Sequence, residues 1–307
     1  MVFEVERVTD LLHGLMTFLQ EGLASLVRGG RLPEAFAYPF MARGVAAVLI
    51  LAPLFGALSP LVVARRLAFF SAALGHAAMT GLTIGIVLGE PIHGAYGGIF
   101  GFCFLAALAM VFVRRRSSLP PDTLIGVFLA MTLGLGICLL VAVTKQFNIH
   151  QVEAVMFGSL ITVTGADLKI LLAAAAGVGA VLAWKANDLG LDSLSAPLAK
   201  VAGARPAFLE YLFVMLLTVA IVVSLKVIGA LLVEALVIIP AAAARNLARD
   251  ARGYVLWSIA IALAGSLGGL LISALPGVAV PSGGAVVLAL SGLFFVTLGA
   301  GAALGRR

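Results

Sequence analysis

The sequence predicts an all-α membrane protein, a polytopic bundle of about eight or nine transmembrane helices. Three observations carry that prediction. Of 307 residues, 62% are hydrophobic and only 11% are Asp, Glu, Lys or Arg, less than half the charged share of a soluble domain. Apolar runs long enough to cross a ~30 Å hydrocarbon core recur between short charged junctions. The basic residues gather at alternate junctions, as the positive-inside rule requires. A soluble protein of this size has no way to hide so much apolar surface. A soluble enzyme, a nucleic-acid-binding domain and a disordered chain are thereby excluded.

Taken in order, residues 1–38 stand apart. Leu11, Leu12, Leu15, Phe18, Leu19, Leu23, Leu26 and Val27 recur at helical spacing, punctuated by Glu6, Asp10, Gln20 and Glu21 and closed by Gly29-Gly30. This pattern predicts an amphipathic helix lying on the membrane or against the other spans. The acidic residues and the lack of a basic start before an apolar core argue against a signal peptide. The remainder, 39–307, reads as spans near 40–63, 67–89, 94–113, 122–144, 166–186, 207–225, 227–247, 254–275 and 282–304. Asp122 after Pro120-Pro121 reads as a helix N-cap or first-turn acid. Gly94-xxx-Gly98, Gly97-xxx-Gly101 and Gly265-xxx-Gly269 predict close helix approach. Cys103 and Cys138 sit in apolar runs with no ligand or disulfide spacing and read as packing residues.

Thirteen of the 20 basic residues fall on one side: Arg65, Arg66, Arg114 to Arg116, Lys185, Lys200, Arg205, Arg245, Arg249, Arg252, Arg306 and Arg307. The rule makes that side cytoplasmic, with the C-terminus inside. Arg7, Arg28, Arg31 and Arg43 on the other side weaken it locally. Arg114-Arg115-Arg116 reads as a topology anchor, and Lys226 as a snorkelling end residue. Two connections exceed a turn. Residues 145–165 are an outer, weakly polar segment. Residues 187–206 are an inner one with a helix-forming centre, Pro197 near its start and Gly203 and Pro206 as terminators, suited to docking a soluble partner.

Two ionisable residues fall deep within spans, His76 and Glu234, and an ionisable group at mid-membrane costs at least ~2.5 kcal/mol on insertion scales. His76 lies ten residues after Arg66 and Glu234 eleven before Arg245, or about 15 and 16 Å from the same face at 1.5 Å per residue. Imidazole and carboxylate at one depth suit zinc or manganese, and neutral His also suits iron or nickel. The bland alternative is a His–Glu pair that only satisfies itself. His13, His93 and His150 read as surface histidines, the last two on the outer side, where a weak part in metal capture stays open. Pro240, in the span of Glu234, predicts a kink or loosened hydrogen bonding, a gating feature or plain structure. No GxxxxGK[ST], HExxH or GxSxG within a span is present, so an ATPase, if used, is another chain.

Four stretches resemble the integral-membrane permeases of bacterial zinc, manganese and iron ABC importers. They are Pro39-Phe40-Met41-Ala42-Arg43; Arg65-Arg66-Leu67-Ala68-Phe69-Phe70 into Leu74-Gly75-His76-Ala77-Ala78 and Gly81; Phe157-Gly158-Ser159-Leu160 with Val163-Thr164 and Asp167-Leu168; and Lys226-Val227-Ile228-Gly229-Ala230-Leu231-Leu232-Val233 into Ile238-Ile239-Pro240 and Arg245. Pro281-Ser282-Gly283 before the last span adds to them, so the resemblance covers about 38–305. It implies a multi-pass transport subunit, not an enzyme, in the bacterial inner membrane. It also implies a homodimer over two cytoplasmic ATPase subunits that bind the ATP, an extracytoplasmic metal-binding protein, and no permanently bound cofactor. Residues 195–206, with Ala199 and Gly203, are similar to the segment that sits in the ATPase groove.

The family's translocation site lands on His76. Members usually carry an aspartate four residues earlier, where this chain has Ala72. Many carry an acid where it has Ser159, and small or hydroxyl residues where it has Glu234. Glu234 is therefore expected to supply the carboxylate that Ala72 lacks. The rivals are a lost metal site with a metal chelate or other small solute as cargo, and a proton- or ion-coupled secondary transporter. The latter's halves often show inverted repeats, and none is visible in this sequence. An intramembrane enzyme would need a nucleophile with its base or a fuller ligand set.

Overall fold

A computed structural model describes residues 2–30, 32–90, 96–143, 163–277 and 280–303, with the side chains of 2–13 and a few others left out. Among the described residues there are twelve α-helices and no strands. They are α1 Val2–Arg28, α2 Pro39–Ala64, α3 Phe70–Val87, α4 Tyr96–Arg116, α5 Pro121–Val143 and α6 Gly165–Trp184. There follow α7 Ala186–Leu194, α8 Ala196–Val201, α9 Pro206–Ile228, α10 Ala230–Arg245, α11 Ala251–Ser273 and α12 Ser282–Ala303. The Phe157 stretch, His93, His150, Lys145 and the side chains of His13 and Lys226 lie outside the described residues.

Eight of the helices are long and apolar enough to cross a membrane. The expected ninth span, 227–247, differs. Gly229 sits at φ 80°, a conformation open to glycine at no steric cost, and breaks the chain there. Val227 and Ile228 therefore finish α9, and α10 keeps only 16 residues, about 24 Å, short of a full core.

The helices α2, α3 and α9 form the interior. They bury 72%, 67% and 67% of their most apolar stretch, against 22–39% for the other five spans. Exposed apolar side chains such as Leu105, Phe112, Met131 and Phe295 stand on the ring around them, where lipid or another subunit covers what water would not. Glycine sets the closest approaches. A Cβ on Gly269 would fall on the Val286 backbone, and one on Gly265 on Leu290, so α11 and α12 pack nearly backbone to backbone as the Gly265-xxx-Gly269 spacing predicts. On α4 the contact differs from the expectation. Gly101 faces open space, while Gly98 meets Gly81 and Gly85 of α3. Gly97 is used otherwise, lying against the Glu90 carboxylate that also accepts the Gly98 N–H at 3.2 Å.

Polar groups inside the bundle are mostly satisfied locally. Thr80 Oγ1 donates toward His76 O and, across to α5, Thr132 O at 2.9 Å. Thr218 and Ser224 bond back to carbonyls four residues earlier. Arg43, one of the four basic residues out of place by the charge rule, donates to Val163 O at 3.1 Å and pins the chain just before α6. Thr164 then caps α6 in a reciprocal pair with Asp167.

Pro240 lies inside α10, and the N–H of Ala241 next to it donates to Ser59 Oγ on α2 at 3.1 Å, fully buried. The loosened ladder expected at the proline is thus tied across to a neighbour. Ser59→Ala removes that acceptor, and a buried unpaired N–H costs about 1–3 kcal/mol. The variant is expected to melt several degrees lower in detergent by tryptophan fluorescence; an unchanged midpoint would show that the tie carries no stability.

Candidate functional site

Glu234 on α10 packs beside Gly75, the residue before His76 on α3. Gly75 on α3 has no side chain, and α10 closes onto it. A Cβ there would lie 3.5 Å from Ala230 Cβ and 3.9 Å from Glu234 Oε1. Ala230 and Glu234 are one turn apart on α10, so both face Gly75. His76 is the next residue along α3. His76 Nδ1 is buried without a hydrogen-bond partner among the described residues.

The surroundings define an open face. Ala72, His76 and Glu234 are all half-buried, whereas Ala73, Leu74 and Gly75 are buried. Ala72 and His76, four apart on α3, present one stripe. Among the described residues no group of three or more His, Cys, Asp or Glu gathers as a metal cage. His76 and Glu234 alone would supply two of the four ligands that a tetrahedral zinc takes, with water or a second chain completing the shell. A separate apolar hollow lined by Ile99, Ile170, Val222 and Val227, with Asp167, touches neither His76 nor Glu234.

At the basic end of the bundle the structure assembles what sequence reading dispersed. Ser195 accepts from the Leu198 N–H and starts α8; Ala199 is fully buried, and Gly203 at φ 84° turns the chain toward α9. Leu194, Leu198 and Val201 around them are exposed. The Arg65 guanidinium pairs with Asp192 of α7 at 2.8 Å, both side chains 7% exposed. It also donates to Leu189 O at 3.3 Å and lies 4.8 Å over the Phe213 ring. Burial pulls the Arg65 pKa below the usual arginine value, and Asp192 opposes that shift. Arg114 and Arg115 both bind Glu210 of α9, at 3.3 and 3.0 Å. These arginines are therefore more than topology anchors. Their acidic partners lay in separate, ordinary-looking segments, and only a contact between helices could pair them.

Comparison with known proteins agrees with this architecture. The model of the ABC 3 transport family matches residues 37–300. The chain is 30% identical over 266 residues to the high-affinity zinc uptake system membrane protein ZnuB of Haemophilus influenzae, covering 85% of this chain and 96% of that one. It is 26% identical over 260 residues to the manganese import system permease protein ScaB of Streptococcus gordonii, covering 85% and 91%. Among solved structures, PsaBC from Streptococcus pneumoniae in complex with a Fab superposes with a TM-score of 0.71 at 24% identity, covering 85% of this chain and 91% of that one. An inward-facing putative metal-chelate type ABC transporter gives 0.67 at 17%, covering 96% and 99%.

Proposed function

The chain belongs to the ABC 3 transport family, and from that premise we propose that it is the permease subunit of an ATP-driven importer of a divalent transition metal, zinc or manganese. The observation that carries the proposal is the family match over residues 37–300, with Glu234 packed beside Gly75, the residue before His76. Relatives named for zinc and for manganese support the cargo class.

The physical task is to carry a divalent ion through a layer where bare charge is expensive. His76 and Glu234 hold it briefly, with water filling the shell. Few ligands suit a site from which the ion must leave. Two copies of the chain face each other across this open stripe. Two cytoplasmic ATPases dock at 195–206, with Ala199 as the buried foot of α8 and Gly203 as its turn. An extracytoplasmic metal-binding protein delivers the ion. Pro240, tied through Ala241 to Ser59, loosens α10 one and a half turns beyond Glu234 and serves as the pivot. Residues 1–38 form an interfacial appendage, since the family match begins at 37 and Met16, Leu19, Leu23 and Val27 pack one stripe of α1 against the bundle. The thirteen-residue basic bias places the C-terminus in the cytoplasm of a bacterial inner membrane.

The test is uptake of zinc and manganese by proteoliposomes holding the permease, its ATPase and its binding protein. ATP is expected to drive uptake at least tenfold above the ATP-free level, and a proton ionophore to leave it unchanged. Uptake that collapses with the ionophore and ignores ATP would place the His76–Glu234 pair in a secondary transporter instead. A second reading, a metal chelate as cargo, is favoured by one observation, the two-ligand site; it predicts that chelated metal outcompetes the free ion.

A further inference from the structure

The structure contains a buried polar relay whose place in the fold fits the transfer of motion rather than the binding of an ion. It starts at Asp192, in the last turn of α7, three residues before the Ser195 cap of α8. Asp192 binds Arg65, the residue that ends α2. The backbone carbonyl of Arg65 accepts from Arg114 Nη2 at 3.5 Å, and Arg114 in turn binds Glu210 in the second turn of α9. The Arg65 guanidinium thus joins α2 to α7 and α9, and its backbone carbonyl joins the α2–α3 corner to α4.

The corner is rigid. Arg66 takes φ 56°, a left-handed conformation uncommon outside glycine. Leu67 N–H returns to Val62 O at 3.0 Å and Phe70 N–H to Leu67 O at 3.0 Å. Phe70 opens α3 and is fully buried. A displacement of Arg65 is therefore passed to α3, and His76 lies six residues further along it. A single cation held by Asp192, the Leu189 carbonyl and the Phe213 ring, with both ion-pair partners 7% exposed, has little freedom to absorb motion locally.

On the reading of the chain as an ABC permease, we infer that Arg65 and Asp192 are positioning residues that couple movement of the 195–206 segment to α3 and its histidine. The pair works as a stiff link between the ATPase-docking helix and the ion path, and the Arg114–Arg115–Glu210 group braces it from α4 and α9. Coupling needs a demonstration through paired variants, because adjacency alone does not establish it.

The test uses the assembled transporter in proteoliposomes with zinc or manganese chloride. ATP hydrolysis and metal uptake are measured together. With Asp192→Asn, hydrolysis is expected to stay within about twofold of wild type while uptake falls at least tenfold, so the ions moved per ATP collapse. A merely structural loss would lower both in parallel and overturn the inference. The double variant Arg65→Met with Asp192→Leu fills the site without a buried lone charge, which restores assembly in comparable cases. It is expected to assemble and stay uncoupled; wild-type ions per ATP would overturn the inference. Should Asp192→Asn fail to assemble, Glu210→Gln, on the more exposed brace, is expected to lower ions per ATP at least threefold, and no change there would count against the relay. A readout independent of cargo is ATP-dependent thiol labelling of Ala72→Cys in a chain whose two native cysteines are replaced. Labelling is expected to change with ATP in the otherwise wild-type chain and to lose that change with Asp192→Asn. If the wild type imports neither metal but its labelling still responds to ATP, the cargo assignment fails and the relay stands.

Discussion

Replacing Glu234 by Gln, or His76 by Ala, is expected to lower ATP-dependent uptake of zinc and manganese about a hundredfold while the protein stays folded. The magnitude follows from the medium. A charge at the centre of a helical span costs about 2.5–3.5 kcal/mol on insertion scales, and each ~1.4 kcal/mol is a factor of ten. An ion that loses its one carboxylate, or its one imidazole, at that depth loses a comparable compensation. Stability should move the other way for Glu234→Gln. The carboxylate lies beside Gly75, half-buried, with no ion pair to an arginine or lysine among the described residues. A neutral isostere removes an insertion cost without removing a contact. The pairing of lost transport with an equal or higher melting point is what a functional group kept against stability produces. Measured together, uptake and melting separate the assignment from simple misfolding. Undiminished uptake of both metals by both variants would remove His76 and Glu234 from the path.

How far the sequence alone reached follows from which interactions are local. Helix existence was legible because each span is a run of apolar residues bounded by charges, a pattern that needs no partner. The depth of His76 and Glu234 was legible for the same reason, since rise per residue is constant along any helix. What depth alone could not give is the close approach of α10 to α3, which the missing side chain at Gly75 allows. The boundary at Gly229 was hidden because Lys226, two residues before Ile228, looked like the natural end of a span, and a positive φ leaves no trace in composition. The packing at Gly98 rather than Gly101 was hidden because both lie in equivalent spacings, and only the position of α3 selects between them. The relay at Arg65 was least visible. Asp192 sits among ordinary loop residues, 127 positions along the chain from its partner, and a cluster of arginines beside a span has a sufficient explanation in topology alone.

Restoring a carboxylate at position 72 is the sharpest expected result on the site itself. Ala72 and His76 are one turn apart on α3, both half-buried on the same stripe. An aspartate there approaches the ion along α3, whereas Glu234 approaches it across from α10. The two geometries supply the same ligand set, one imidazole and one carboxylate. Ala72→Asp in the Glu234→Gln background is therefore expected to recover at least tenfold of the lost uptake. In the otherwise wild-type chain the same substitution places two carboxylates beside one histidine. That raises affinity for a divalent ion and slows its departure, so the half-saturating metal concentration should fall and the maximal rate should fall with it. Uptake titrations of the four chains, with Ala or Asp at 72 and Glu or Gln at 234, read both effects. If the double variant is as inactive as Glu234→Gln, the carboxylate at 234 acts through something other than charge at the ion. If all four chains carry a chelated metal equally, the cargo arrives with its own ligands, and the open two-ligand face is a passage rather than a binding site.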